Sequence, residues 1–339
     1  MHITFCDAAM RVAPPPAASL QRGSVELRLP ERAAAPRCAS GRGRRISSGL
    51  AGTRDHGGME VSRGDGSVIA VEVAGEQGGR PVLFCHGLAD SRLSTQLFAP
   101  AAHELGLRLV APDRPGIGGT DPRGLRRLAD WTEDAALVLD ELTAGPVALL
   151  GISAGGPFAA ACAARLSGRV RSLTLIAPLG APGWPTRGMA PGQRLALQAA
   201  RRAPAFGGWF LGRLALLARR SPRLFLRLAT SELPGTDRRA LARPGMREAF
   251  LTGYTEAFRR GSWGAAQDLR VLMRPWGFEL GSITVPASIH HGDADTTVPP
   301  QHARLFAAAI PGGQLQLHPG HGHFSILGAA RQILAPLAA

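Results

Sequence analysis

The five residues Gly151-Ile152-Ser153-Ala154-Gly155, set directly behind the apolar run Val147-Ala148-Leu149-Leu150, constrain this chain more than any other feature. A G-x-S-x-G between a strand and a helix is a turn so tight that small residues must flank the serine on both sides. The turn lifts the serine oxygen off the end of a sheet. It also aims the N–H of the next residue, Ala154, at the place where an oxyanion would form. The role this predicts for Ser153 is that of a nucleophile. Taken alone the pentapeptide is weak, because glycine and serine are common and the same letters occur in ordinary strand-to-loop turns. Partners must come from elsewhere in the chain.

From Gly66 onward, apolar runs bounded by Gly and Pro alternate with helical periods, which implies a doubly wound, mainly parallel sheet of α/β class covered on both faces. The pattern predicts strands at 68–73, 82–85, 108–111, 147–150, 173–176, 287–290 and 315–317. It predicts helices at 95–104, 131–142 and 157–166. Asp130-Trp131-Thr132-Glu133 reads as a capping box, with Asp130 as cap and Glu133 reaching back. The rhythm breaks between Ile176 and Ala287, where about 110 residues of mostly helical, Arg-rich sequence far exceed one crossover. A helical insertion over about 180–275 is therefore expected on a domain spanning 59–339.

Residues 1–58 are rich in Arg, Ala, Pro, Gly and Ser, with no sustained period, which is the composition of a disordered segment. Met59 opens the structured pattern, so a native start at Met59 is expected, against the alternative of an Arg-rich tail with a targeting role. The chain has 339 residues and a net charge of +14, and all 39 basic residues are Arg. Residues 187–275 hold 17 Arg against 5 acidic residues, and residues 1–58 hold 9 against 4, while the remainder is net acidic. The basic character thus lies outside the body that carries Ser153. No nucleic-acid fingerprint accompanies it, and one Tyr leaves little for base stacking, so a nucleic-acid partner is not expected.

Cys6, Cys38, Cys85 and Cys162 are too few and too scattered for a disulfide framework or a zinc site, and Cys85 and Cys162 read as small buried thiols. No stretch carries the ~18 uninterrupted apolar residues of a membrane span, and no compact signal core is present. A cytoplasmic location is expected.

A serine nucleophile needs a base, and the base needs an acid to hold its tautomer. Two later segments offer them: His290-His291-Gly292-Asp293-Ala294-Asp295 and Gly320-His321-Gly322-His323-Phe324. With Ser153 they give the chain order Ser, Asp, His. Phe84-Cys85-His86-Gly87-Leu88 adds a His-Gly loop after an early strand, and Asp113-Arg114-Pro115-Gly116-Ile117-Gly118-Gly119-Thr120 adds a glycine-rich turn. From Met59 on, the chain resembles the α/β-hydrolase fold superfamily, in its Ser-nucleophile, cap-bearing form. It departs from the family's D-x-x-G-x-G-x-S turn by Thr120 in place of Ser. The resemblance implies that Asp295, fourth in G-x-x-D, is the acid, with Asp293 as competitor and a loop carboxylate as its plainer role. It implies His323 as base over His321, and the N–H groups of Leu88 and Ala154 as the oxyanion hole. Some family members carry the acid after the strand that follows the elbow; Ala177-Pro178-Leu179 offers no carboxylate there. His86 is expected to brace its loop, and His290 and His291 read as core histidines at a strand end. Asp90, Ser91 and Arg92 are placed either to touch substrate or insertion, or to stabilise the loop.

A serine at the elbow excludes the alkyl-enzyme chemistry of family members that use Asp there. The preferred expectation is an esterase or lipase-like serine hydrolase of hydrophobic esters, acting on a small molecule and needing no cofactor or metal. The alternatives are thioesterase, lactonase, C–C hydrolase or cofactor-free perhydrolase chemistry on the same triad, or a non-catalytic small-molecule sensor. Residues 205–220 and 223–228 form a basic amphipathic stretch. Its expected arrangement is an apolar face over the pocket with Arg in water, and contact with an anionic membrane is the less favoured one. Nothing in the chain sets an oligomeric state.

Overall fold

Runs such as Val82-Leu83-Phe84-Cys85 have no polar face, so as strands they require cover on both sides. A computed structural model describes residues 58–338 and places them at the centre of a sheet. The expectations for the segment 1–58 and for Cys6 and Cys38 fall outside the described residues, save Gly58. Among the described residues eight strands form one sheet: β1 (Met59–Ser62), β2 (Val68–Gly75), β3 (Arg80–Cys85), β4 (Leu107–Pro112), β5 (Val147–Ile152), β6 (Val170–Ile176), β7 (Ala287–Gly292) and β8 (Gln314–His318). Their order is β1-β2-β4-β3-β5-β6-β7-β8. The first two pairings from the edge, β1 with β2 and β2 with β4, are antiparallel, and every later pairing is parallel.

Helices α1 (Ala99–Glu104), α2 (Thr132–Leu142) and α3 (Gly155–Arg165) precede the long interval, and α10 (Pro300–Ala309) and α11 (Ala330–Leu334) follow it. One face of the sheet buries Trp131, Phe158, Phe306 and the alanines of α3. The other buries Phe98, Ile326, Ile333 and Leu334 against Phe84 and Leu150. Between β6 and β7 the chain forms six helices: α4 (Pro191–Arg202), α5 (Pro204–Arg220), α6 (Pro222–Ala229), α7 (Gly235–Ala242), α8 (Pro244–Ala257) and α9 (Trp263–Leu272).

Four local expectations are corrected. β1 is a strand that periodicity over four residues was too short to reveal. The helix expected over 95–104 is a 3-10 turn at Arg92–Leu97 followed by α1, because Pro100 lacks an N–H and is accommodated only in a first helical turn. Asp130 does not cap α2; it sits third in a 3-10 turn, Leu128–Trp131, and its Oδ2 accepts the N–H of Arg126 and Arg127 at 3.0 and 3.2 Å. Glu133, rather than reaching back, pairs with Arg123 at 2.8 Å.

The fourth correction concerns the first half of α5, where Phe206, Trp209 and Phe210 are exposed and Gly208 is buried, whereas Leu211, Leu214 and Leu217 farther along pack inward with Ile117, Tyr254 and Phe258 as expected. The reason is close helix packing: a Cβ on Gly208 would lie 2.5 Å from Ala266 in α9. Small residues let the two helices approach, which turns the bulky face outward.

Candidate active site

Ser153 follows β5 and precedes α3, with its backbone in the left-handed region at φ 52°. That conformation strains a non-glycine residue and is held by hydrogen bonds from Ser153 N–H to the Ile176 carbonyl (2.8 Å) and from Leu179 N–H to the Ser153 carbonyl (2.9 Å). Gly155 is required at the next bend, since a Cβ there would meet the Cys85 carbonyl oxygen at 2.0 Å. The turn therefore closes against β3, the strand that leads into the His-Gly loop.

β7 and β8 lie side by side in parallel, so the loops after them meet at the same sheet end. There the two sequence alternatives separate by position. Asp295 is buried, whereas Asp293 is exposed and accepts the Gly320 N–H at 2.7 Å, a loop-bracing role. His323 is buried, and its Nδ1 lies 2.7 Å from Asp295 Oδ2 while its Nε2 lies 3.1 Å from Ser153 Oγ. His321 points away, with Nδ1 3.0 Å from the Pro319 carbonyl. Because a carboxylate accepts, the short contact puts the His323 proton on Nδ1 and leaves Nε2 to receive the Ser153 hydroxyl proton.

Burial alone would push the Asp295 carboxyl up, but the His323 charge, with hydrogen bonds from His291 and His323, holds it below the usual carboxylate range. Its Oδ1 also takes the N–H of Thr297 and Val298 at 2.8 and 2.9 Å. For His323 burial favours the neutral ring, yet the charge and hydrogen bond of Asp295, followed by the charge of Asp237, carry its pKa above the ordinary value. His291 is fully buried, its Nε2 shared between the Val298 carbonyl (2.9 Å) and Asp295 Oδ2 (3.2 Å). His290 faces His318 at 3.2 Å, and burial, with the His318 charge, brings its pKa down to about 4.

The His-Gly loop passes beside the serine: a Cβ on Gly87 would lie 3.8 Å from that of Ser153. Arg114, from the glycine-rich turn, holds this loop. It donates to the carbonyls of His86 (2.7 Å) and Gly87 (2.8 Å) and pairs with Asp268 of α9 at 2.7 Å, all buried. In a planar trans peptide the N–H points opposite the C=O. Fixing the Gly87 carbonyl therefore fixes the direction of the Leu88 N–H. His86 is fully buried, its Nε2 accepting the Arg114 N–H at 3.4 Å, and burial, with the Arg114 charge, keeps its pKa well below the ordinary value. The loop-bracing role expected for it matches this position.

Asp90, Ser91 and Arg92 serve the loop and the insertion. Ser91 caps the 3-10 turn, and Asp90 accepts the Ser91 N–H at 2.9 Å, with burial pushing its carboxyl up to about 6. Arg92 bridges Asp113 (2.6 Å) and Glu256 of α8 (2.8 Å). Thr120, in place of the family's usual Ser, still supplies a hydroxyl that donates to the Asp113 carbonyl and accepts the Ala70 N–H.

Sequence reasoning missed Asp237. From the first turn of α7 its carboxylate accepts the N–H of His323 (2.8 Å), Phe324 (3.1 Å) and Ser325 (2.8 Å) and the Ser325 hydroxyl (2.8 Å). Gly322 makes room for it, since a Cβ there would stand 2.4 Å from Asp237 Oδ2. Scarcity was the available signal. Of the five acidic residues in 187–275, Asp237, Glu256 and Asp268 all reach out of the insertion, to the histidine loop, Arg92 and Arg114. Among the described residues no group of three or more His, Cys, Asp or Glu is placed to hold a metal ion. No described helix is long and apolar enough to cross a membrane.

Comparison with known proteins gives the family. A family model described as alpha/beta hydrolase fold matches residues 80–330. Over 275 residues, 78% of the chain and 92% of the relative, the sequence is 28% identical to a non-heme haloperoxidase of Rhodococcus erythropolis. A shorter match, 32% identical over 117 residues, is to an uncharacterised hydrolase, YcgS, of Bacillus subtilis (strain 168), and spans only 40% of that protein. Among solved structures, the esterase RhEst1 from Rhodococcus sp. ECU1013 superposes with a TM-score of 0.60 at 22% identity, covering 83% of this chain and 98% of that one.

Proposed function

The chain belongs to the alpha/beta hydrolase fold family, and on that footing we propose that it is a serine hydrolase that cleaves a hydrophobic carboxylic ester through an acyl-enzyme. The observation that carries this reading is the unbroken relay from Asp295 through His323 to Ser153, with contacts of 2.7 and 3.1 Å. His323 Nε2 takes the Ser153 proton as Oγ attacks the ester carbonyl. The N–H groups of Leu88 and Ala154 receive the oxyanion. Collapse breaks the C–O bond, and the imidazolium hands its proton to the departing alcohol. Water, deprotonated by the same ring, then adds to the acyl-enzyme and releases the acid and Ser153.

An apolar substrate is supported by the surroundings. Leu88 packs against both the sheet core and a cluster that joins Ile117 of the glycine-rich turn to Tyr254 and Phe258 of the insertion. Phe324, next to the histidine, meets Phe250 of α8 edge-on at 5.5 Å. The insertion acts in this reading as a cap over the serine.

Turnover of chromogenic esters, thioesters and amides by the wild type and by Ser153→Ala tests the proposal. Ester hydrolysis that disappears in the variant is expected. Equal rates in the two proteins, or none in either, would sink it.

The near full-length match to a protein named as a haloperoxidase favours one second reading. In it hydrogen peroxide replaces water as the acceptor, so that the acyl-enzyme yields a peracid and free Ser153. Peracid formed from a carboxylic acid and peroxide faster than ester is hydrolysed would select that outcome.

A further inference from the structure

Residues 191–231 contain eight arginines and neither Asp nor Glu. They fold into α4, α5 and α6, and none of the eight is ion-paired among the described residues. The same helices carry Phe206, Trp209 and Phe210, exposed by 58%, 53% and 48%, together with exposed Leu195, Leu224 and Leu228. With Trp263 at the start of α9, the insertion holds every exposed aromatic ring of the described residues. Outside the insertion only Met59 and Leu137 are exposed large apolar side chains among the described residues, so this face is not the ordinary scatter of single surface hydrophobics. Phe206 and Trp209 stack on each other at 5.6 Å in solvent rather than turning inward. Past the far end of α5, between α6 and α8, a groove of about 670 Å³ is lined by Arg223, Arg227 and Arg247 around Leu224, Leu226 and Leu251.

We propose that this α4–α6 face docks on an anionic phospholipid bilayer, with the aromatic and leucine side chains in the acyl boundary and the arginines on lipid phosphates. Charge selects that occupant. A second copy of the chain would set unpaired arginines against unpaired arginines, and like charges brought together oppose association. A nucleic acid would satisfy the arginines but would leave Leu195, Leu224 and Leu228 without an apolar medium. A basic helix face with Trp, Phe and Leu at the boundary is instead the chemistry of an interfacial helix, whose binding adds buried apolar area to attraction for anionic lipid. The planar guanidinium suits phosphate oxygens, and the groove places three of them around apolar walls. The inference is independent of the reaction proposed above, since it concerns the opposite, outward side of α5 from the one packed on α9.

Co-sedimentation of the full chain with vesicles tests it, comparing phosphatidylcholine alone with phosphatidylcholine mixed with phosphatidylglycerol. Binding to the mixed vesicles only, weakened by added salt, is expected. Arg223→Gln combined with Arg227→Gln should weaken it about 25-fold, at about fivefold for each arginine near the surface. Phe206→Ser with Trp209→Ser and Phe210→Ser should abolish it. Unchanged circular dichroism and melting would show that both variants fold, and using variants of the insertion separates it from the arginines of residues 1–58. Absence of sedimentation with the mixed vesicles would overturn the proposal, and so would binding that both variants retain. A dimer that the aromatic variant dissolves would assign the face to a second copy instead, and would overturn it equally.

Discussion

The Asp237 carboxylate, carried on α7, receives the backbone N–H of His323 at 2.8 Å, so the ring facing Ser153 is gripped by its main chain from the insertion and by Nδ1 from Asp295. One buried side chain thereby links the segment proposed to choose the substrate to the group proposed to move the proton. Asp237→Asn should lower kcat about tenfold or more, because hydrogen bonds to a charged group contribute about 1.5–3 kcal/mol each. Asp237 also helps to raise the His323 pKa, so the rising limb of the pH–rate profile should move to lower pH. A purely structural role would lower the rate and leave that limb in place, and Asp237→Glu should restore part of it.

Asp295 and His323 have opposite pH signatures. The Asp295 carboxyl is held below its unfolded value of about 3.9, so its contribution to stability is complete above that pH and is lost as pH falls through the folded value. His323 is held above its unfolded value of about 6.5, so its contribution is complete below that pH and is lost as pH rises through the folded value. Urea unfolding of Asp295→Asn should therefore show the greatest loss of stability between about pH 4 and 6.5. Its kcat should fall roughly 10³–10⁴-fold, since the ring loses its tautomer. In the wild type, hydrolysis should rise only above about pH 6.5, where His323 becomes neutral.

Arg114 fixes the carbonyls of His86 and Gly87 and so the direction of the Leu88 N–H. Arg114→Met should cost about 10²–10³ in kcat, the range for loss of one oxyanion donor, with KM little changed. It also strands the buried Asp268 charge, which should destabilise the fold by about 3–5 kcal/mol. Adding Asp268→Asn should recover part of that stability. Recovery of kcat along with it would show that Arg114 serves packing alone.

Cys85 and Cys162 are buried and free, and burial pushes the Cys85 thiol up to about 12 and the Cys162 thiol well above the ordinary value. Thiol alkylation of the native protein at pH 8, mapped by mass spectrometry, should leave both unmodified. Both should react after denaturation.

Much of the site was legible because its parts are local. The elbow, the acid loop and the Gly-His segment are each a strand followed by a short run of small or candidate site residues, and strand periodicity reports where such runs fall. Chain order gave a Ser, Asp, His set, and the family resemblance pointed within it to Ser153, Asp295 and His323. Two kinds of information were absent. Choosing Asp295 over Asp293 and His323 over His321 by geometry needs the direction of each side chain, and neighbours two residues apart on a loop differ in that only once the loop is folded. The outward turn of Phe206, Trp209 and Phe210 depends on how closely α5 approaches Ala266, which a helical period cannot report. The grip of Asp237, Glu256 and Asp268 on the body joins residues about 90 to 160 positions apart. Sequence by itself determined the α/β alternation, the candidate nucleophile and its candidate partners, because these follow from nearest-neighbour sterics and the period of burial. Only the tertiary structure decided which carboxylate meets which histidine and which face of the insertion meets water, because both depend on the packing of helices whose contacts are remote along the chain.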